Sequence, residues 1–133
     1  MSDTTKYSDD NTSPVDWYIA AYLLRLTVLD GEDDAPEQEL TAWENTILIK
    51  ASHPEEAYEK CLRFAYEDCE PYENEAGQMV KLEFEGLTSL LPIYEALEDG
   101  AEIIWVEHTN KTAEQLRQMV KQKHELEIFE SEE

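Results

Sequence analysis

Residues 16–30 read DWYIAAYLLRLTVLD, a run that is apolar between its bounding aspartates except for Arg25 and Thr27. Its reading decides the fold, because a membrane anchor, a buried helix and a buried strand each imply a different protein. A spanning helix needs about 20 predominantly apolar residues, and this run is shorter, carries an arginine and ends in acids. A helix that is apolar on every side must sit wholly inside, which a chain of 133 residues can hardly enclose. A central strand needs only a thin layer on each face. Trp17, Ile19, Ala21 and Leu23 fall on one parity and Tyr18, Ala20, Tyr22, Leu24, Leu26 and Val28 on the other, and the aromatic and β-branched content favours extended backbone. The run is therefore read as a long central strand, with Arg25 and Thr27 lying where the Ile19 and Leu23 face reaches the rim.

Working outward, residues 30–41 form an acidic connection broken by Gly31 and Pro36. A second strand over residues 43–51 follows, in which Trp43, Asn45, Ile47 and Ile49 alternate with Glu44, Thr46 and Lys50. The stretch ASHPEE then changes the period. Ser52 with Glu55 has the spacing of a capping box, Pro54 suits a first turn, and Glu55 and Glu56 suit the positive end of a helix dipole. The helix is expected over residues 54–69, where Ala57, Cys61, Ala65 and Cys69 recur every four residues and let it lie close on a sheet. A polar link, EPYENEAGQ, has Gly77 as its turn residue. Val80, Leu82 and Phe84 alternate with Lys81, Glu83 and Glu85 in a third strand ending at Gly86. LTSLLPIYEALEDGAE is read as an apolar turn and a short helix closed by Gly100. Residues 101–107 are expected as a fourth strand, and Thr112 with Gln115 opens a helix over residues 113–123. The expected fold is α+β, an antiparallel sheet of about four strands with one helix packed on a face and a C-terminal helix. Residues 1–14 read as a disordered leader, 15–124 as a single domain and 125–133 as an acidic tail.

The chain has 32 acidic and 10 basic residues, a formal net charge of -22. Affinity for nucleic acid comes largely from Lys and Arg displacing counterions, so direct nucleic acid binding is not expected. Acidity of this size keeps a protein soluble, and it also steers association with a basic partner. At 41% hydrophobic, the sequence still has the material for a core. The first 16 residues are acidic with only Lys6, a poor match to a signal peptide, so the expected compartment is the cytoplasm. Cys61 and Cys69 agree. Eight residues apart on one helix, they would stand about 12 Å from each other, beyond disulfide reach, and are read as small buried thiols.

Several stretches together resemble a known family. The WYIA strand, the WEN strand leading into ASHPEEAYEKC, and EFEGLTSLLPIYEALEDGAEIIW are similar to a family of small bacterial proteins catalogued only as a domain of unknown function. The likeness covers residues 17–107. It implies an α+β fold and a bacterial, cytoplasmic source, and brings no activity, cofactor or catalytic residue.

The residues themselves point to no chemistry either. His53, His108 and His124 have no ligand-spaced partner, HELE at 124–127 is not the HExxH of a zinc protease, and DGEDD lacks the alternate acids and central glycine of an EF-hand. No GxSxG elbow or phosphate loop occurs, and chance carboxylate pairs are too many to mark a dyad. No cofactor or metal is expected, and an enzyme is the less favoured reading. Favoured instead is a non-enzymatic acidic interaction module, in its sharper form an immunity-like or inhibitor-like protein that covers a basic protein partner. Glu32, Asp33, Asp34, Glu37 and Glu39 are its candidate contacts. Arg117 and Lys121, which would share a helix face with His124, are candidates for homo-oligomer formation through the C-terminal helix. The alternative is a small enzyme or ligand-binding domain with a pocket between sheet and helix, lined by Tyr18, Tyr22, Trp43 and Trp105.

Overall fold

A computed structural model of the chain describes residues 11–29 and 39–130. Its centre is β1, Trp17–Val28, flanked by β2, Ala42–Lys50, on one side and β4, Met79–Pro92, on the other. A two-residue strand, β3 (Tyr72–Glu73), pairs with the start of β4 to give an antiparallel sheet in the order β2-β1-β4-β3. The 14-residue α1, Pro54–Glu67, lies across one face.

The register explains why β1 is apolar on both parities. Tyr18, Ala20, Tyr22 and Leu24 stand opposite Ile49, Ile47, Asn45 and Trp43 of β2 and opposite Pro92, Leu90, Leu87 and Phe84 of β4. Directly opposed residues share a face, and this one meets Ala57, Cys61 and Ala65 of α1. Those three small side chains, four residues apart, let Tyr18, Ile49 and Leu24 fill the space between helix and sheet, each 1% exposed. Full burial of an apolar side chain of this size contributes about 1.5–3 kcal/mol. On the reverse face Ile19 and Ala21 are buried, and Leu23, Arg25 and Thr27 grade towards solvent as the sequence pattern implies.

Strand β4 is longer than expected. Gly86 does not end it: the strand continues through LTSLLP, which forms sheet and not the apolar turn and short helix read from sequence. Two irregularities make this possible. The pairing shifts between Ala21 and Tyr22 and again between Leu23 and Leu24, leaving Thr88 and Glu85 as extra residues on β4. Gly86 stands between them at φ 144°, a conformation that glycine adopts without a Cβ penalty. The bulges bend β4 around β1 and re-aim its side chains. One result is that Arg25 reaches two carboxylates, with Nη2 3.1 Å from Glu83 and Nε 3.0 Å from Glu85.

The helix start is shifted by one residue from the expected box. His53 is the N-cap and its Nδ1 accepts the Glu56 N–H, while the Glu56 carboxylate reaches back to accept from the N–H and hydroxyl of Ser52 at 2.7 and 2.9 Å. These bonds hold the Glu56 carboxyl below its ordinary range. The polar link contains β3 and a tight turn, in which Asn74 Oδ1 accepts from the N–H groups of Ala76 and Gln78.

Ser13, read from sequence as part of the leader, is buried. Its N–H donates to the Tyr18 hydroxyl, its own hydroxyl donates to the Ile93 carbonyl, and the Ser13 Oγ accepts from the N–H groups of Val15 and Trp17. The other departure is at the far end. Residues 101–107, expected as a fourth strand, belong to no strand, and every residue from 103 to 130 is exposed. The second capping box is present at Thr112 and Gln115, but α2 spans only Ala113–Gln118 and gives way to 3-10 turns at Lys123–Glu125 and Glu127–Phe129. Residues 101–130 thus form an arm beside a packed body.

Candidate interaction surface

The surface around the C-terminal end of α1 carries aromatic and acidic side chains together. At that end Ala65 is buried against the sheet while its neighbours Phe64, Tyr66 and Glu67 are exposed. Tyr66, 60% exposed, packs on Phe84 of β4 with ring centroids 5.1 Å apart and the rings tilted by 57°. Phe84 in turn meets Tyr22 from the core at 6.2 Å. Tyr72 of β3 stands opposite Val80, on the same face of the sheet, and is 45% exposed. The segment between the two tyrosines supplies Glu67, Asp68 and Glu70, all exposed. Tyrosines pinned by stacking lose little entropy when a partner covers them, and their faces attract cations, as carboxylates beside them do.

The floor of this surface is anchored by Tyr22. Its ring is buried and its hydroxyl emerges to donate to Asp68 at 3.3 Å. Burial raises its pKa, opposed by a hydrogen bond from Asn45 and assisted by the negative charge of Asp68. A phenol held neutral in this way is a hydrogen-bond donor, not a nucleophile. Cys61, also buried and with its thiol pushed up by burial, is equally inert, and Cys69 lies just beyond the helix. Both cysteines are free thiols.

The residues singled out from sequence are placed unevenly. Glu32, Asp33, Asp34 and Glu37 lie outside the described residues, and Glu39 is exposed ahead of β2. Arg117 pairs with Glu114 one turn earlier at 2.9 Å, an exposed bridge worth little by itself. Lys121 lies past the end of α2, so Arg117, Lys121 and His124 do not form a common helix face. The four aromatics proposed to line a pocket are divided: Tyr18 and Tyr22 are core, whereas Trp43 and Trp105 are about half exposed, at 46% and 51%. His53 caps α1. Among the described residues no group of three or more His, Cys, Asp or Glu side chains is gathered to hold a metal ion, and no helix is long and apolar enough to cross a membrane.

The tyrosine and acid cluster was not singled out from sequence. Its signal lay in YEDCEPYENE at 66–75, where two tyrosines recur among five acids, but only the pairing of β3 with β4 brings Tyr72 to the face that carries Phe84. No curated protein and no solved structure matches the chain. The pattern of one family matches residues 17–105, from the first residue of β1 into the arm. With two thirds of its length inside that match, the chain belongs to the family described as a domain of unknown function, DUF4288.

Proposed function

We propose that this domain is a non-catalytic interaction module that binds a basic protein surface through its acidic, tyrosine-bearing side, in the manner of an immunity or inhibitor protein. The observation that carries the reading is the pair Tyr66 and Tyr72, exposed on the face that carries Phe84, with Glu67, Asp68 and Glu70 exposed in the segment that joins them. Interface centres are enriched in tyrosine, and an acidic rim accelerates encounter with a basic partner. The net charge of -22 extends the same field over the molecule, with the acids of residues 32–39 as further contacts. Two free thiols suit a reducing cytoplasmic setting.

The test uses the full chain as bait in its native host lysate, followed by association kinetics with the captured partner at low and high salt. A basic partner is expected, with an association rate that falls at least tenfold between about 0.05 and 0.3 M salt as screening grows. Tyr66→Ala should weaken the complex through a faster dissociation rate, and Glu70→Lys through a slower association rate. A partner whose association rate ignores salt, or whose binding survives both substitutions unchanged, rejects the reading.

A further inference from the structure

Among the described residues the outer edge of β2 has no strand paired to it, and the arm of the same chain holds a segment suited to fill it. The order β2-β1-β4-β3 places the nine residues of β2 at the border, and among the described residues no strand lies beyond it. The backbone bonds Ala51 N–H to Asp16 C=O and Leu26 N–H to Thr41 C=O mark hydrogen-bonded pairs at the two ends of the β1–β2 ladder. Such pairs alternate along an antiparallel ladder, so Trp43, Asn45, Ile47 and Ile49 spend their backbone groups on β1 while Glu44, Thr46 and Leu48 point theirs outward. At the end of the row the Lys50 carbonyl is already taken by the Lys60 ammonium. Exposed edges are ordinarily blunted by proline, bulges or clustered charge. β2 has no proline and no bulge in its register, and its side chains leave Trp43 exposed on the helix face and Leu48, 49% exposed, on the reverse face.

Residues 103–106, IIWV, have the complementary pattern. Apolar side chains alternate to both sides, as a strand needs when both of its faces are to be covered, and Ile103, Ile104 and Val106 are exposed, Val106 at 68%. The turn before them is well formed. Ala101 N–H donates to the Glu98 carbonyl and Glu102 N–H to the Glu95 carboxylate, with Gly100 at φ 90°. The family match runs to residue 105 and so takes in Ile103, Ile104 and Trp105 of this segment. Behind it, residues 108–124 hold four basic side chains, Lys111, Arg117, Lys121 and Lys123, against the single acid Glu114, in a chain whose net charge is -22. This is the one stretch of the molecule that an acidic surface attracts.

We propose that two copies exchange arms: residues 103–106 of each add as a strand to the outer edge of β2 in the other, and the basic stretch that follows lies against the acidic body of that copy. A reciprocal exchange closes with two-fold symmetry, and the outer edge of β4 beyond Val80, which among the described residues also has no strand partner, is blunted by its two bulges and by Pro92. The occupied edge is on the far side of the sheet from the tyrosine and acid cluster, so a dimer would present two copies of that surface.

The decisive measurement is the mass of the full-length chain in solution by light scattering, at about 0.15 M salt, where a Debye length of about 8 Å limits repulsion between acidic copies. A dimer is expected. Ile104→Lys, in an exposed segment outside the packed body, should raise the dissociation constant at least tenfold with unchanged circular dichroism. Thr46→Pro, which removes an outward N–H and is of the kind edge strands tolerate, should do the same. Should Thr46→Pro unfold, Ile104→Lys alone decides. A wild-type chain that is monomeric up to about 0.5 mM, some 500-fold above the micromolar range that corresponds to about 8 kcal/mol of association, overturns the proposal. So does a dimer that Ile104→Lys leaves intact. Neither result bears on the salt-dependent partner binding tested above.

Discussion

β1 and residues 101–107 are near equivalents as local sequence. Both are rich in aliphatic and aromatic residues, and both are apolar on the two parities. One is the most buried strand among the described residues, with a partner strand on each side, and the other is exposed from Ile103 onward and outside the sheet. The difference teaches that β-propensity states a readiness to pair and does not supply the neighbour. What buries β1 is the register of β2 and β4 and the small-residue face of α1, all of it non-local.

This comparison can be broken most forcefully in the core. Leu24→Ala should destabilise the fold by about 2–5 kcal/mol in urea titration, whereas Val106→Ala should leave unfolding of the isolated copy within about 0.5 kcal/mol of wild type. Equal effects would mean that the arm is packed and the contrast false. Next in size, Ala65→Leu should cost about 1–3 kcal/mol, because α1 sits on the sheet with Ala57, Cys61 and Ala65 wholly buried and no room for a larger side chain. Gly86→Ala should cost a similar amount for a different reason. No atom lies within 4 Å of the position a Cβ would take, so the penalty is conformational and comes from φ 144°. Thr27→Val tests the rim of β1. The Thr27 hydroxyl is buried with no hydrogen-bond partner among the described residues, and its replacement by a methyl group should stabilise by up to about 1 kcal/mol.

The smallest effect is one of pH. Glu56 is held below its ordinary carboxyl range by the bonds it accepts from Ser52. A group whose pKa is lower folded than unfolded contributes stability above its unfolded value and loses that contribution as the pH falls through the folded one. Wild type and Glu56→Gln should therefore differ in thermal stability near neutrality and converge in acid below the ordinary carboxylate range. A gap that persists unchanged at low pH would assign the effect to helix propensity instead.

How far the fold could be read from sequence follows the same division between local and non-local causes. β1, β2 and α1 were legible because their signals are local: two apolar parities, alternation, and small residues every four positions. The four-strand sheet was expected, but two of its members were misassigned. Gly86 was read as a strand end because a glycine after alternating residues usually is one, and only pairing with β1 reveals that it serves a bend. Tyr72 and Glu73 make too short a strand to show any period. Residues 101–107 carry a strand pattern, yet they belong to no strand among the described residues. The second capping box was correct at Thr112, yet nothing in the next residues packs on the body, and a helix without tertiary support stops after six residues. The acids of residues 32–37 stood out by composition, whereas the tyrosine and acid cluster depends on contacts between α1, β3 and β4 that no local pattern encodes.

The Ser13 bonds have a topological consequence. Ser13 donates to the Ile93 carbonyl, and Ile93 N–H donates to the Trp17 carbonyl at 2.9 Å, so the chain enters the sheet and leaves it at the same spot. A unit stitched in this way has its entry and exit side by side, the arrangement in which domains tolerate insertion into another chain. The same closure sets Ile93, the first residue after β4, beside the entry of β1, so the chain before the sheet and the chain after it start from one common doorway.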